Sequence, residues 1–326
     1  MTGRINLFSI CLLALALGMP IADSCAQSFP ARPVRVIVSA PAGAGQDVEV
    51  RQLTPHISTD LGVPVVVENR PGGAGLLGLE VVAKATSDGY TLRAGTIGNL
   101  ASHPRLFDRP IYDVERDLAP VSLSLRHPWV LYVNASVPAQ SFQQFIALAK
   151  AEPEALTYAT PGVGSFTHLT VSLLQTLTGA KLRHIPYGAQ PWQPDLLGGH
   201  VNASMWPLIT MVDHVKAGKL RALAISNGKE RSPQVPDVPL FSELELPQFN
   251  PSAWAGLVVP AGTSKPVIEK LSKAATRAAQ TTQYCEFTAR IGATPVGSTP
   301  AEFDTFAKAE RARWKKVIAD NGIKLE

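Results

Sequence analysis

Short β-branched runs and longer stretches of helical periodicity alternate along most of the chain. Val34–Val38 predicts a strand that ends at Pro41-Ala42-Gly43-Ala44-Gly45, after which Asp47 can cap a helix carrying Leu53 and Ile57. Val65-Val66-Val67 predicts a second strand, followed by Arg70-Pro71-Gly72-Gly73-Ala74-Gly75 and a helical stretch through Val81, Val82 and Ala85. Trp129–Val133 reads as a buried strand. Ser141 with Gln144 makes a capping-box pattern, and Phe142, Phe145, Ile146 and Ala149 fall on one helical face. Leu156–Ala159 predicts another strand, which ends in Thr160-Pro161-Gly162-Val163-Gly164-Ser165. Phe166, Leu169, Leu173, Leu174 and Leu177 then line a helix. Leu220–Ile225 and Ala253–Val259 are later strands. Thr299-Pro300-Ala301-Glu302 combines a capping box with proline at the first helical position, opening a helix through Phe303, Phe306 and Trp314. This alternation predicts an α/β fold with parallel-rich sheets. Ser232–Pro239, rich in proline, reads as a surface connection, and the chain shows no internal repeat.

The first residues change what the rest means. Arg4 supplies a short positive region, Ile5–Leu17 is almost unbroken apolar sequence, and Ser24-Cys25-Ala26 offers small residues for cleavage. The apolar run falls short of the about 20 residues that span a bilayer. Residues 1–26 therefore read as a signal peptide, and Asp23 argues against a lipoprotein signal. Its removal takes away one Arg and one Asp and leaves the formal charge at +4. No dense Lys/Arg block marks a nucleic-acid surface. Of three cysteines, only Cys285 survives cleavage, so no intramolecular disulfide is available. With 45% hydrophobic and 17% charged residues, the mature chain carries a large core, enough for two domains.

The candidate chemistry lies in two loops of one design, each running from strand through glycines into a helix start. One holds Gly43, Gly45 and Asp47, the other Gly162, Gly164 and Ser165. Glycines let backbone N–H groups approach a ligand, and a helix start presents unsatisfied donors and partial positive charge to a carboxylate. Either loop alone reads as a tight turn. The pair, in an exported chain, reads as binding. Asp47 reads first as a helix cap and second as a direct contact. His168 is the histidine placed near such a crevice, with a packed or surface histidine as the competing reading.

Enzymatic motifs fail on spacing. Gly43-Ala44-Gly45-Gln46-Asp47-Val48 lacks the third glycine of a dinucleotide fingerprint, and Leu79 stands where a P-loop with Gly73 and Gly78 needs lysine. Ser165 follows Gly164 directly, so there is no nucleophile elbow. The seven histidines form no metal-ligand motif. The expectation is no catalysis, no cofactor and no metal.

Several blocks carry a family resemblance. Phe29-Pro30-Ala31-Arg32-Pro33-Val34-Arg35-Val36-Ile37-Val38 looks like a mature start. Val65-Val66-Val67-Glu68-Asn69-Arg70-Pro71-Gly72 and Ser87-Asp88-Gly89-Tyr90-Thr91-Leu92 follow, then Thr157–Ser165, His184-Ile185-Pro186-Tyr187, Asp195-Leu196-Leu197-Gly198-Gly199 and Gly218–Ala224. Pro236-Asp237-Val238-Pro239 and Pro260-Ala261-Gly262-Thr263 complete the series. In this order they resemble the Bug family, receptors of tripartite tricarboxylate transporters. The resemblance implies a two-lobed, flytrap-like periplasmic binding protein of type II with a ligand cleft between the lobes. The expected division is 27–128 with 226–326 in lobe 1 and 129–225 in lobe 2.

It also implies a monomer that captures a small carboxylate-containing ligand and hands it to integral membrane transporter subunits. By position, Pro41, Gly43, Gly45, Gln46 and Asp47 of the first loop and Thr160, Gly162, Gly164 and Ser165 of the second would hold the carboxylate. Thr96, Asn99 and Tyr187 would border the cleft, with His168 close by. Departures from the family pattern fall in the first loop, where Ala42 and Ala44 replace a proline and a glycine and Gln46 replaces a threonine. Arg93 stands where an apolar residue is usual. The rival readings are a binding protein that presents its ligand to a signalling partner, an exported hydrolase using Ser165 with His168, and a regulator's effector domain.

Overall fold

The computed structural model describes residues 29–72, 76–102, 106, 112–188, 190–226 and 230–324. The segment read as a signal peptide lies outside the described residues, as do Gly73, Ala74 and Gly75. The chain opens with β1 (Val34–Val38), α1 (Gly45–Leu61), β2 (Val65–Asn69), α2 (Leu76–Ala83) and β3 (Thr91–Thr96). A short α3 (Val114–Asp117) leads into β4 (Leu118–Asn134), followed by α4 (Phe142–Ala151), β5 (Thr157–Thr160), α5 (Phe166–Thr178) and β6 (Arg183–Pro186). Then come α6 (Gln193–Gly198), β7 (Ala203–Pro207), α7 (Val212–Lys216), β8 (Leu220–Ser226) and β9 (Ser252–Pro260). The chain closes with α8 (Lys265–Ala279), α9 (Thr282–Arg290), β10 (Thr294–Pro295) and α10 (Pro300–Asp320).

The strands pair in the order β2-β1-β3-β9-β4-β7-β5-β6, with β8 and β10 also on β4. This ladder falls into two halves that share one strand. From Leu118 to Pro128, β4 runs antiparallel to β9; from Trp129 to Asn134 its partners are β7 and β8. Among the named strands, parallel pairing joins β1 with β2 and β3, and β5 with β6 and β7. The expectation of parallel-rich sheets is thus corrected at the centre. One strand crosses out of the first half and β9 re-enters it alongside, so these neighbours run in opposite directions.

Only the second part of β4 was legible as a strand. Its 17 residues are buried on both faces over most of their length, which erases the two-residue period, and Pro120 and Pro128 interrupt it. Register shifts between Pro120 and Ser122 and between Leu123 and Leu125 accommodate the irregular stretch.

Each half has a core, and the two meet where Phe166 and Leu169 of α5 pack beside Trp314 of α10. In the first, Val34, Val36 and Val38 of β1 pack on Val50, Leu53 and Ile57 of α1 and on Leu271 and Ala274 of α8. The opposite face carries Ile37, Trp254, Phe303 and Trp314. In the second, Trp129, Leu131 and Val133 pack with Phe145, Phe241 and Phe249, where Phe241 meets Phe142 and Phe249 edge-on. The proline-rich segment differs from a plain surface connection. Val235, Val238 and Leu240 are buried against Val130, Tyr132 and Leu208, and Ile225 N–H donates to Pro239 O at 3.0 Å. The α10 start is as its sequence predicts: Thr299 accepts from Glu302 N–H while the Glu302 carboxylate accepts from Thr299 N–H at 2.8 Å.

Candidate functional site

The first glycine loop leaves β1 and turns into α1. Gly43 has φ of 82°, a left-handed conformation that strains any residue bearing a Cβ. Its N–H donates to Asp47 Oδ2 at 2.8 Å, while Arg51 Nε reaches both carboxylate oxygens at 2.9 Å and Asn69 Nδ2 reaches Oδ1 at 2.8 Å. Asp47 is only 2% exposed. The Arg51 hydrogen bond, aided by Gly43 and Asn69, outweighs the cost of burial and holds its carboxyl down at about 2. Asp47 therefore braces the loop from within. Asn69 also donates to Ala40 O at 2.9 Å, fastening the loop to the end of β2.

Around this loop, Gln46 Nε2 donates to Ala94 O at 2.9 Å, and Thr96 N–H donates to the side chain of Asn99 at 2.8 Å. Asn99 is buried, and its carbonyl accepts from Tyr112 Oη at 2.7 Å. Arg93 gains a physical account here. Its guanidinium lies wholly buried beneath the loop, donates to Ser39 Oγ at 2.7 Å, and is drawn down to about 10 by desolvation. It remains a cation at neutral pH. Gly78 makes room for it, since a Cβ there would sit 2.6 Å from Arg93 Nη1.

The second loop is built from neutral groups. Ser165 caps α5, accepting from His168 N–H at 3.3 Å, while Gly164, at φ of 74°, donates its N–H to His168 Nδ1 at 3.1 Å. Thr160 Oγ1 accepts from Gly162 N–H at 3.0 Å and hydrogen-bonds His184 Nε2. The rings of His168 and His184 stack at 4.2 Å, and Tyr158 covers the other side of His184 at 5.0 Å. Burial lowers both imidazoles, and His184, with His168 beside it, falls to about 4. Both rings are neutral at physiological pH. Ser165 and His168, the pair weighed for a hydrolase, are both engaged in the loop's own hydrogen bonds. Tyr187 Oη donates to Asp195 at 2.6 Å, and burial together with that carboxylate pushes the phenol up to about 12.

A cavity of about 680 Å³ opens at the place where β4 and β9 pass between the halves. Gly45, Gln46 and Thr96 line it from the first half, and Trp129, Trp206, Pro207, Ile209 and Thr210 from the second. Two other cavities, near Phe303 and near Leu77, are each lined from the first half alone. Of the residues expected at the site, Gly45, Gln46 and Thr96 are on the cavity wall. Pro41, Gly43, Asp47 and Asn99 are not on that wall. Thr160, Gly162, Gly164, Ser165, His168 and Tyr187 also stand outside it, although Phe166, next to Ser165, packs edge-on against Trp129 at 4.8 Å.

The wall also holds residues that were not anticipated. Trp129, Trp206, Phe287 and Ile291 supply apolar surface, Trp254 borders the cavity with its ring turned to Phe303 and Phe306, and His127 Nε2 pairs with Glu49 Oε1 at 2.8 Å. Buried Trp129 Nε1 and His127 Nδ1 have no hydrogen-bond partner among the described residues. One sequence signal could have found these two. Extending the Trp129–Val133 strand backwards places His127 two residues from Trp129, on the same face. Among the described residues, no three His, Cys, Asp or Glu side chains are grouped to hold a metal ion, and no helix is long and apolar enough to cross a membrane.

Comparison with known proteins adds to this geometry. A family profile described as tripartite tricarboxylate transporter family receptor matches residues 49–323. Protein BugT of Bordetella pertussis is 37% identical over 328 residues, covering 100% of this chain and 99% of its own. A solved R. palustris protein with adipate superimposes with a TM-score of 0.75 at 30% identity, covering 91% of this chain and 99% of that one. MatC from Rhodopseudomonas palustris with bound malate gives a TM-score of 0.72 at 31% identity, over 89% of this chain and 100% of its own. The two-lobed α/β architecture is common to these periplasmic binding proteins.

Proposed function

This chain belongs to the receptor family of tripartite tricarboxylate transporters, and we propose that it captures a small carboxylated solute between its lobes for delivery to the membrane subunits of such a transporter. The observation that carries this reading is the 680 Å³ cavity lined from both halves of the sheet, with the start of α1 on its wall. A helix start offers backbone donors and partial positive charge to a carboxylate without a lysine. Adipate and malate in the two related structures support an organic acid as the ligand class.

In this reading residues 1–26 are removed on export and the mature chain works in the periplasm as a monomer. The lobes correspond to the two halves of the sheet, joined at Pro128–Trp129 and again near Pro251–Ser252. The burial of Phe241 and Phe249 with Trp129 and Phe145 supports counting residues 226–251 with the second lobe, in place of the boundary at 225/226. Two neighbouring crossings make a hinge, and solute bound to both walls favours the closed form. That gives the membrane subunits a shape by which to tell loaded from empty receptor.

Thermal melting of the mature chain against mono-, di- and tricarboxylates tests the capture. A ligand at a hundredfold excess over Kd adds about 2.7 kcal/mol, enough to move the melt by several degrees. No shift across the panel, with folded and ligand-free protein, contradicts carboxylate capture. Uptake of the hit into vesicles holding the membrane subunits, with and without the receptor, then separates transport from presentation to a signalling partner.

A further inference from the structure

A carboxylate buried in the first lobe holds two tryptophans that lead towards the two chain crossings. Glu310, on α10, is 3% exposed, and its Oε2 accepts from Trp254 Nε1 at 3.2 Å and from Trp314 Nε1 at 3.1 Å. Its other oxygen pairs with Arg313 Nη1 at 2.9 Å, which balances the buried charge. Glu310 and Trp314 stand four residues apart and so share one face of the helix. A buried indole N–H needs an acceptor, and a charged acceptor makes the stronger bond. One oxygen shared by two indoles therefore fixes the rings relative to each other.

The two rings serve different parts of the molecule. Trp254 lies on β9, two residues after Ser252 at the second crossing. Trp314 is wholly buried and meets Phe166 of the second lobe edge-on at 5.2 Å. Phe166 in turn meets Trp129, at the first crossing, at 4.8 Å. A continuous chain thus runs from β9 through Glu310, Trp314 and Phe166 to β4. It passes between the lobes where Trp314 touches Phe166, and Leu169 of α5 packs in the same cluster. Lobes that turn about the two crossings must shear Phe166 across Trp314. Two further hydrogen bonds between the lobes are exposed, where water competes for both partners: Asn321 Nδ2 to Thr176 Oγ1 at 3.4 Å, and Gln234 Nε2 to Ala289 O at 3.2 Å.

We propose that α10 sets the angle between the lobes, with Glu310 as the residue that positions Trp314 against Phe166. Because Phe166 directly follows Ser165, the same contact determines how far the second glycine loop stands from the first. This role rests on the hinge described above and is independent of which solute the cleft takes.

Distances between spin labels on the two lobes of the solute-free mature chain test this. Lys84→Cys and Glu152→Cys, at exposed positions of opposite lobes, carry the labels once Cys285→Ser has removed the free thiol. The chain with Glu310 in place should give one narrow distribution. Glu310→Leu removes the shared acceptor and should widen that distribution and displace its centre by several ångströms. Glu310→Gln keeps one oxygen for the two indoles and should leave it narrow. Should Glu310→Leu fail to fold, Phe166→Leu removes the ring on the other side of the contact and should widen the distribution likewise. Pro128→Gly with Pro251→Gly loosens the crossings themselves and should widen it too. Narrow distributions in Glu310→Leu and Phe166→Leu, beside a wide one in the double glycine variant, overturn the role of α10 and leave the hinge standing. That holds even where both variants lose stability. Narrow distributions in every variant overturn the hinge as well. Equal widening by Glu310→Gln and Glu310→Leu overturns the part given to the shared oxygen.

Discussion

The two glycine loops look alike as sequence and differ as physical objects. The first is held by charge: Asp47 accepts from Gly43, Arg51 and Asn69, and the cap residue Ala44 contributes no side-chain hydrogen bond. The second is held by neutral groups, with Ser165 and His168 closing its turn and a Tyr158–His184–His168 stack beneath it. The first puts Gly45 and Gln46 on the cavity wall, while the second stands one ring behind it, with Phe166 against Trp129. A strand–glycine–helix pattern therefore specifies a turn with a free helix start. What that start faces is decided by strands far away in the chain.

The contrast can be broken most severely at Asp47. Asp47→Ala removes the acceptor for three donors and should destabilise the fold by about 2 kcal/mol, less than for a fully buried pair because Arg51 is half exposed and can rehydrate. Denaturant unfolding measures this, and a loss below about 0.5 kcal/mol would show that charge does not hold the loop. Gly43→Ala should cost about 1–2 kcal/mol, because φ of 82° is left-handed while the space around it is open. Gly45→Ala offers the sharper comparison. Its backbone is helical, and a Cβ there meets nothing within 4 Å, so stability should hold or rise slightly while solute affinity falls.

In the second loop, Ser165→Ala should cost about 1 kcal/mol as a lost helix cap, measured by the same unfolding curves. The smallest effect expected is a difference in acid response. His184 protonates near 4 in the fold and near 6.5 when unfolded, so between those values the unfolded chain binds more protons. Its contribution is complete above 6.5 and fades as pH falls towards 4. Asp47, ordinarily at 3.8, stays ionised down to about 2 in the fold, so its contribution persists until pH drops below 3.8. Stability of His184→Gln should accordingly depend less on pH between 6.5 and 4 than that of the unaltered chain.

Much of this was legible because it is local. The strand of Val34–Val38, the helix through Leu53 and Ile57, the Ser141 cap and the Thr299 box each depend on residues within one turn of each other. Strand direction was not legible, since β4 and β9 pair across more than a hundred residues of chain. The proline-rich 232–239 segment read as surface because proline predicts a turn and says nothing of what Val235 and Val238 meet. The cavity wall was hardest to see. Trp129, Trp206, Trp254 and Phe287 come from four separate elements, and no spacing links them; only His127 and Trp129 share a strand face.

The central claim is that a carboxylate sits against the start of α1 inside the cavity that both lobes line. A crystal structure of the mature chain, grown with the acid that most raises its melting temperature, tests this directly. The account predicts density in that cavity beside Trp206, with the carboxylate against the backbone of Gly45 and Gln46. Ligand bound outside that cavity, with the α1 start unoccupied, would contradict it.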